Sequence, residues 1–495
     1  MIRFFIFFLG IILFQHLSFS QNNENQFIHC GTEPYLSEEL IYYQQNLNNY
    51  RFLSDDTLYI PIKVHILGTD EGSGYASESL VRNAFCGLNQ SFEQVNVQFY
   101  LVGDFNYINN SGWYEHENFA PGRNMIQTNN VPGVLNSYVV RTAAGACGYY
   151  ARGVDGVVLA INCIGSNSQT WAHELGHQLT LPHTFLGWEG TIYDPSEPTP
   201  ESIRFGNAWR QVERWDGENC RHAGDGFCDT PPDYLSYRWG CSPNNPLGII
   251  IKDPLGIEGN VDGTNIMSYA SDVCVSNFSD EQIQAMRMNL LLDRFNLVEF
   301  ENQFGKIDTT LNVISPQPNQ DIQFDNAVIQ WNSLPGATEY LVQISALPVF
   351  TSPIFNQIVS DTSIVLNNLI KDRIHYLRIQ PMSPLNTCEP FIERIQFFAT
   401  QITSINFVGE NNFKIDFQNL ISVSQPIDLR FSGESPKELK VSLINMSGQF
   451  LWNRKEHFVP GQSYQIETIG FPPGIYLLKA QNSKGNYITK EILIQ

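Results

Sequence analysis

The sequence has little positive charge. Its 495 residues include 29 Lys and Arg against 50 Asp and Glu, which gives a formal net charge of −21 at pH 7. Because proteins that bind nucleic acid carry a basic footprint, this composition argues against a nucleic acid partner. Acidity fits a soluble extracellular protein, in which most carboxylates are solvated at the surface and a few can serve calcium.

Long apolar runs are scarce as well. One lies at the N-terminus, where Arg3 precedes the run from Phe4 to Phe14 and small residues follow at Ser18 and Ser20. This layout predicts a signal peptide over residues 1–20, and the run is short for a membrane span, so an uncleaved anchor is the lesser alternative. Since no later segment is long and apolar enough to span a bilayer, we expect a mature chain without a transmembrane segment, secreted or at the cell surface.

Cysteine is uncommon and odd in number. The nine cysteines fit an oxidising compartment, and seven of them lie between Cys86 and Cys274, with Cys30 and Cys388 outside that stretch. An odd count leaves at least one thiol without a partner in the chain.

Solenoid-type repeats are absent. Changes in composition and in the pattern of apolar residues along the chain predict separate domains instead. Residues 21–55 are polar and read as a propeptide or N-terminal extension. Residues 56–300 mix strand patterns with helices, of which Ser279 to Phe295 has a capping box at Ser279 and Gln282. Short alternating runs then predict sandwich domains over 310–400 and 405–495. The expected fold class is multidomain, an α+β domain followed by all-β sandwich domains.

The segment from Thr170 to Phe185, TWAHELGHQLTLPHTF, carries the chemistry. His173 and His177 are four residues apart on a predicted helix, so both imidazoles lie on one face and suit zinc. His183 can reach the same ion if the chain leaves the helix and turns back, which Pro182 favours. The alternative is that these are surface or core histidines of a helix that binds no metal. The third histidine at this spacing argues against that alternative.

Glu174 follows the first predicted ligand and is the predicted general base. Three protein ligands leave a fourth position for water, which marks a catalytic zinc site. Zinc lowers the pKa of its bound water towards about 7. Glu174 would take the proton of that zinc-bound water during attack on a peptide carbonyl and pass it to the leaving amine.

A second motif, NIMSY from Asn265 to Tyr269, has the form of a Met-turn. Met267 would form an apolar floor beneath the zinc site, although a single methionine is more often plain core. Tyr269 would hydrogen-bond a developing oxyanion, or it packs beside the site as a half-buried tyrosine.

These motifs, with GDGFCDTPPD from Gly224 to Asp233 and CVSNFSDEQIQAMR after NIMSY, resemble the pappalysin family of metzincins, which includes ulilysin. The resemblance covers roughly residues 56–300. It implies a secreted zinc-dependent endopeptidase that acts on protein or peptide substrates, with a twisted mixed sheet, an active-site helix and an irregular region after His183.

Thr180 stands where metzincins usually have glycine. Because a β-branched residue resists the left-handed region, we expect Thr180 and Pro182 to build the turn in other dihedral regions.

The resemblance also implies disulfides in the irregular region. The candidate pairs there are Cys241 with Cys274 and Cys220 with Cys228, and Cys147 with Cys163 is a third candidate pair outside that region. A four-cysteine zinc site made of Cys220, Cys228, Cys241 and Cys274 is the alternative, although these residues lack paired C-x₂₋₄-C spacing.

Two regulatory sites are implied in the same way. Cys30, in the expected propeptide, would hold the enzyme latent by placing its thiolate on the zinc, or it forms a disulfide with Cys86 or stays a free thiol. Asp225 and Thr230 match positions that bind calcium, or they only make turn hydrogen bonds.

The C-terminal part of the chain resembles non-catalytic modules. Ala327 to Ser345 is similar to a fibronectin type III domain. Val441 to Trp452, Phe471 to Ala480 and Lys490 to Gln495 resemble the sorting domain read by the type IX secretion system of Bacteroidota, without its usual Asn-Pro opening. The implied partner is the secretion machinery, and another adhesive sandwich is the alternative. For the whole chain, the alternatives to a peptidase are a catalytically spent adhesion or binding protein and a zinc hydrolase of other bonds.

Overall fold

The chain folds into two compact units in this computed structural model. The structure describes residues 28–46, 56–197, 199–242, 244, 248–307, 310–401, 413–433, 437–446, 448–482 and 487–495. The expected signal peptide and parts of the expected propeptide, 21–27 and 47–55, lie outside the described residues. The first unit comprises Met1–Thr309 with two later pieces, Leu334–Leu341 and Pro381–Pro390, and the second unit comprises the rest. Among the helices in the described ranges, none is long and apolar enough to cross a membrane.

Most helices of the first unit begin at a polar residue whose side chain caps the first turn. Ser77 accepts a hydrogen bond from the third residue after it at the start of one helix, and Ser279 and Gln282 form the predicted capping box at the start of another. The helices are α1 (Glu38–Gln45), α2 (Glu78–Phe92), α3 (Ser111–Tyr114), α4 (Phe119–Asn129), α5 (Thr170–Gln178) and α6 (Asp280–Met288). A π-helical turn, Asn289–Asp293, continues α6, and short 3₁₀ turns lie at Glu93–Val95, Ile161–Cys163, Cys220–His222 and Phe295–Leu297.

A mixed sheet forms the centre of the first unit. Its strands are β1 (Ile28–Cys30), β2 (Leu58–Gly68), β3 (Val97–Leu101), β4 (Asn106–Asn109), β5 (Glu115–His116), β6 (Leu135–Val140), β7 (Thr142–Ala143), β8 (Ala146–Ala151) and β9 (Gly156–Ala160). The strand order is β3-β2-β6-β9-β8-β7-β5, and β4 and β1 pair with β2 and β8. Strands β2, β3, β6 and β9 are parallel, whereas β8 runs antiparallel to β9.

The sheet is buried because its central strands are continuously apolar. All residues of β6 and β9 are buried, which is typical of parallel strands covered on both faces. Trp171 and Leu175 of α5 and Phe85 of α2 belong to the same hydrophobic core as β2. Helix α5 therefore lies on the sheet beside β8, and this packing places the HELGH motif next to an edge of the sheet.

The chain after α5 is irregular, as its composition predicts. It contains two short hairpins, formed by β10 (Ser202–Phe205) with β11 (Ala208–Gln211) and by β12 (Ile250–Lys252) with β13 (Glu258–Asn260). Two disulfides, Cys220–Cys228 and Cys241–Cys274, crosslink this region. Such crosslinks stabilise a long irregular segment by restricting the conformations that it can adopt in the unfolded chain.

The chain from residue 313 onward is built from strands. These are β14 (Val313–Ser315), β15 (Asp321–Gln323), β16 (Ala327–Trp331), β17 (Glu339–Ser345), β18 (Phe355–Val359), β19 (Ser363–Leu366), β20 (Arg373–Met382), β21 (Ile395–Thr400), β22 (Phe413–Asp416), β23 (Leu420–Ile421), β24 (Ile427–Gly433), β25 (Lys437–Asn445), β26 (Phe450–Phe458), β27 (Ser463–Ile466), β28 (Gly474–Asn482) and β29 (Tyr487–Ile494). They form sheets of three and five strands, β14-β16-β19 with β15-β21-β20-β17-β18, and β22-β24-β27 with β23-β29-β28-β25-β26. The last two sheets share one core, to which alternate residues such as Leu439, Val441 and Leu443 contribute.

Candidate metal centre

Three histidines converge at the C-terminal end of α5. The Nε2 atom of His177 lies 3.2 Å from Nε2 of His173 and 3.1 Å from Nε2 of His183. The opposite ring nitrogens are each held: Nδ1 of His173 by the carbonyl of Ile266 at 2.7 Å, Nδ1 of His177 by that of Leu181 at 2.8 Å, and Nδ1 of His183 by Oε1 of Glu189 at 3.1 Å. Fixing Nδ1 in this way points Nε2 at a common position, which is how metal-ligating histidines are oriented.

The chain reaches His183 through a turn in which Thr180 has φ +86°. The expectation that Thr180 avoids the left-handed region is therefore wrong. Backbone hydrogen bonds from Thr180 to His177 and from Leu181 to Gly176 close the helix end, as in turns where glycine is usual. The Thr180 hydroxyl also pairs with that of Ser37 at 2.9 Å. These contacts hold a strained residue in place so that the third imidazole can return to the first two.

Met267 lies directly beneath α5. A Cβ atom built on Gly176 would meet its sulfur at 2.5 Å, so the helix needs glycine where the methionine packs. The Met267 backbone N–H donates to the side chain of Asn265 at 2.9 Å, and Asn265 donates to Gln282 of α6 at 2.9 Å. The NIMSY segment is therefore fixed between α5 and α6, and its Ile266 carbonyl is the one that holds His173.

Glu174 is completely buried beside the three imidazoles. Its Oε2 accepts a hydrogen bond from the Thr32 hydroxyl at 2.8 Å, whereas its Oε1 is buried without a hydrogen-bond partner among the described residues. Burial raises the pKa of this carboxyl to about 8, opposed in part by the hydrogen bonds from Thr32 and Cys30. Gly148 of β8 makes room for it, because a Cβ there would lie 2.9 Å from Glu174 Cγ.

Tyr269 is buried at the other side of the centre. Its ring packs edge-on against His183 at 5.1 Å between centroids, and its hydroxyl donates to the carbonyl oxygen of Cys30 at 3.1 Å. The predicted oxyanion donor therefore already faces a peptide carbonyl.

The N-terminal segment, residues 28–46, lies across this centre. Strand β1 pairs in parallel with β8, and the buried, unpaired thiol of Cys30 lies 3.5 Å from Nε2 of His177. One ligand atom from each of Cys30, His173, His177 and His183 lies within 4.8 Å of the others. The alternative disulfide between Cys30 and Cys86 is wrong, because Cys86 pairs with Cys388.

Helix α1 anchors the same segment at a second place. Leu40 and Tyr43 are fully buried in the core of the first unit. The Gln44 side chain donates to the carbonyl of Asp225 at 2.9 Å. The segment is thus held at two places, by Cys30 at the metal centre and by the packing of α1 on the core.

The four ligand atoms fit a zinc ion. Burial, followed by the neighbouring histidines, lowers the pKa of His173 and His177 well below 6.5, and neutral imidazole is the form that binds metal. Nitrogen and sulfur donors in a compact group of four match the tetrahedral preference of zinc.

The remaining cysteines form the three candidate pairs, Cys147–Cys163, Cys220–Cys228 and Cys241–Cys274. These bonds consume all the ligands of the alternative four-cysteine zinc site, so the structure does not contain that site.

Asp225 and Thr230 lie together in a buried acidic turn. The Thr230 hydroxyl is 3.0 Å from both carboxylate oxygens of Asp225, which also accepts the Phe227 N–H at 3.0 Å. Glu213 packs beside them, and burial and then the Asp225 charge raise its pKa well above the usual range. Its Oε2 is buried without a hydrogen-bond partner among the described residues.

Sequence reasoning missed several residues of these sites. Glu189 holds His183, Thr32 donates to Glu174, and Glu213 joins Asp225. Glu189 could have been predicted from the sequence, because metal-ligating histidines usually have a carboxylate or carbonyl partner and Glu189 lies six residues after His183. Glu213 and Thr32 come from loops that no local pattern connects to the site.

Comparison with known proteins assigns the C-terminal end of the chain. Residues 410–495 match the family model of the secretion system C-terminal sorting domain, which confirms the predicted sorting domain. This chain is an exported protein. A domain of this kind sends it to the outside of the cell or to the cell surface, in agreement with the charge and cysteine content.

The curated relatives that the chain matches are distant. An extracellular metalloprotease of Colletotrichum graminicola is 24% identical over 249 residues, which cover 46% of this chain and 74% of the relative. An extracellular metalloprotease of Arthroderma gypseum is 25% identical over 281 residues, covering 52% of this chain and 82% of the relative.

Among solved structures, a DUF3244 family protein from Bacteroides vulgatus with an immunoglobulin-like sandwich covers 19% of this chain and 94% of its own, at 14% identity and a TM-score of 0.15. The FN1–FN3 domains of chicken CNTN1 cover 37% of this chain and 63% of their own, at 11% identity and a TM-score of 0.17.

Proposed function

We propose that this chain is a secreted zinc-dependent endopeptidase of the metzincin type, with a pappalysin-like domain over residues 56–300. The observation that carries the proposal is the convergence of His173, His177 and His183 beside Glu174, whose Oε1 has no hydrogen-bond partner in the described part of the chain. The two fungal relatives bear the name extracellular metalloprotease, which supports the same reaction class. The mixed sheet with antiparallel β8 beside the histidine helix supports the metzincin type.

In this proposal three imidazoles hold the metal and two further groups act on the substrate. Zinc, when bound, would supply a Lewis acid that polarises the peptide carbonyl and acidifies a water molecule. Glu174 Oε1 would accept the proton and deliver it to the leaving amine. Tyr269 would donate its hydroxyl to the carbonyl oxygen of the substrate, in the way it donates to Cys30 O. Met267 would keep α5 and the Ile266 carbonyl in place.

The proposal also gives roles to the other segments. Residues 21–55 would be a latency-keeping propeptide after a signal peptide over 1–20. Residues 310–400 would be a fibronectin type III-like sandwich, and 405–495 would be read by the type IX secretion machinery. A peptidase-like adhesion protein without activity is the alternative, and the intact set of His173, Glu174, His177 and His183 argues against it.

Metal analysis together with a casein digest tests the proposal. Wild-type protein whose N-terminal extension has been removed by limited proteolysis is expected to hold one zinc per chain and to digest casein. His183→Ala is expected to lose both, because two imidazoles do not make a zinc site. The control is His222→Ala, which removes an exposed histidine from the same unit and is expected to keep both. Zinc-loaded wild-type protein that leaves casein intact would favour the adhesion alternative.

We also propose calcium at the turn containing Asp225 and Thr230, with Glu213 Oε2, which has no hydrogen-bond partner among the described residues, as an additional oxygen donor. Calcium at about 100 times its Kd is expected to add about 2.7 kcal/mol of stability, which raises Tm by at least about 5 °C. Asp225→Asn is expected to abolish the rise, whereas Asp104→Asn, a change at an exposed acid, is expected to keep it. Measured by calorimetry at constant zinc, an equal rise in both variants would contradict the site.

A further inference from the structure

A cavity of about 230 Å³ lies beside the metal centre, where the N-terminal segment passes β8. Its walls come from two sources: Thr32, Glu33 and Tyr35 of the segment, and Tyr150, Arg152 and Arg123 of the domain below. The Gly31 N–H donates to the carbonyl of Gly148 at 2.8 Å, and the Tyr150 N–H donates to the Thr32 hydroxyl at 2.8 Å. The segment therefore marks the path of a peptide chain along β8.

Two arginines face this path. Arg123 of α4 is fixed by a hydrogen bond from Nη1 to the carbonyl of Arg152 at 2.9 Å, while its Nη2 lies 3.5 Å from Oε2 of Glu33. The guanidinium of Arg152 lies over the ring of Tyr35, 3.3 Å from its centroid. Arg123 thus receives a carboxylate and Arg152 an aromatic ring, both of which suit a guanidinium group.

The third arginine of the cavity has its charge neutralised within the domain. Arg294 donates to both oxygens of Asp155 at 2.8 Å, so its charge stays paired when the segment is absent. By contrast, the carboxylate beside Arg123 and the aromatic ring beside Arg152, Glu33 and Tyr35, belong to the segment itself. Removal of the segment therefore leaves these two guanidinium groups facing an open cleft in a chain whose net charge is −21.

We propose that Arg123 and Arg152 select substrates, with Arg123 taking an acidic side chain and Arg152 an aromatic one. This proposal rests on the proposed peptidase function and adds a substrate class to it. A substrate that runs in the opposite direction to the segment meets the same two groups, because alternate side chains of an extended peptide share one face. The selected pair is then acidic and aromatic residues two positions apart, in either order.

Positional peptide libraries test the proposal. They are digested with protein from which only the N-terminal extension has been removed. At one position, wild-type protein is expected to prefer Glu over Gln by about fivefold in kcat/KM, since exposed ion pairs contribute up to about that factor. Arg123→Glu is expected to reverse the preference towards Lys at the same position. Arg152→Ala is expected to lower the preference for Tyr over Leu by about two- to fivefold two positions away.

The matched control is Arg141→Ala, which removes an exposed arginine paired with Glu115 in the same unit and is expected to leave the profile unchanged. Cleavage by wild-type protein without a preference for Glu, or a preference for Glu that persists in Arg123→Glu, would overturn the subsite and leave the peptidase intact. If wild-type protein cleaves no library peptide, the proposed function is wrong and the subsite proposal fails with it.

Discussion

Glu174→Gln is expected to slow peptide hydrolysis by about 10³-fold, within the range that removal of a general base produces. Glutamine keeps the shape of the side chain, which matters because a Cβ on Gly148 would lie only 2.9 Å from Glu174 Cγ. It also retains an oxygen that can accept the hydrogen bond from the Thr32 hydroxyl. What it loses is a group that accepts a proton, so the loss is expected in kcat while zinc content and Tm change little.

Two measurements separate this role from a structural one. Zinc content is expected to equal that of wild-type protein, since Glu174 is not among the four grouped ligand residues. Gln178→Ala is the control for a change in the same helix, because Gln178 is buried and donates to Asp155 at 3.1 Å, away from the ligand atoms. It is expected to lower stability without a comparable loss of kcat. A Glu174→Gln variant with more than about a tenth of the wild-type rate would assign the base to another residue.

Local sequence patterns predicted the parts of the site that depend on local structure. Residues four apart on a helix lie on the same face, so the spacing of His173 and His177 predicts that their side chains lie together. Ser279 and Gln282 have the spacing of a capping box, which predicts that a helix begins there. The sorting domain was also within reach, because its strand patterns are distinctive enough to resemble a known module.

Contacts between segments that are distant in the sequence could not be predicted from local patterns. Thr180 takes a conformation that its side chain disfavours, because hydrogen bonds to Ser37 and within the helix end hold it there. Cys86 pairs with Cys388, 302 residues away, and no spacing rule in one sequence specifies that bond. Glu213 acquires its environment only when its loop packs on Asp225. In each case tertiary packing decides what local preference leaves open.

The second large effect is expected from Cys30→Ala in the chain that still carries its N-terminal extension. In the proposed latent form the Cys30 thiolate would be the fourth ligand to zinc, and Thr32 occupies Oε2 of Glu174. Removing the sulfur opens the fourth position, so casein hydrolysis by the uncut chain is expected to rise about 10- to 100-fold, equivalent to about 1.4–2.8 kcal/mol. Unchanged latency would contradict the switch.

Cys30→Ala alone is not expected to give full activity, because α1 holds the segment independently. Leu40 and Tyr43 are fully buried, and burying a large apolar side chain contributes about 1.5–3 kcal/mol. Adding Tyr43→Ala to Cys30→Ala is therefore expected to raise activity further, towards that of the cut enzyme. Tyr42→Ala, at an exposed neighbour in the same helix, is the control and is expected to add nothing. A double variant no more active than Cys30→Ala would mean that the metal contact alone enforces latency.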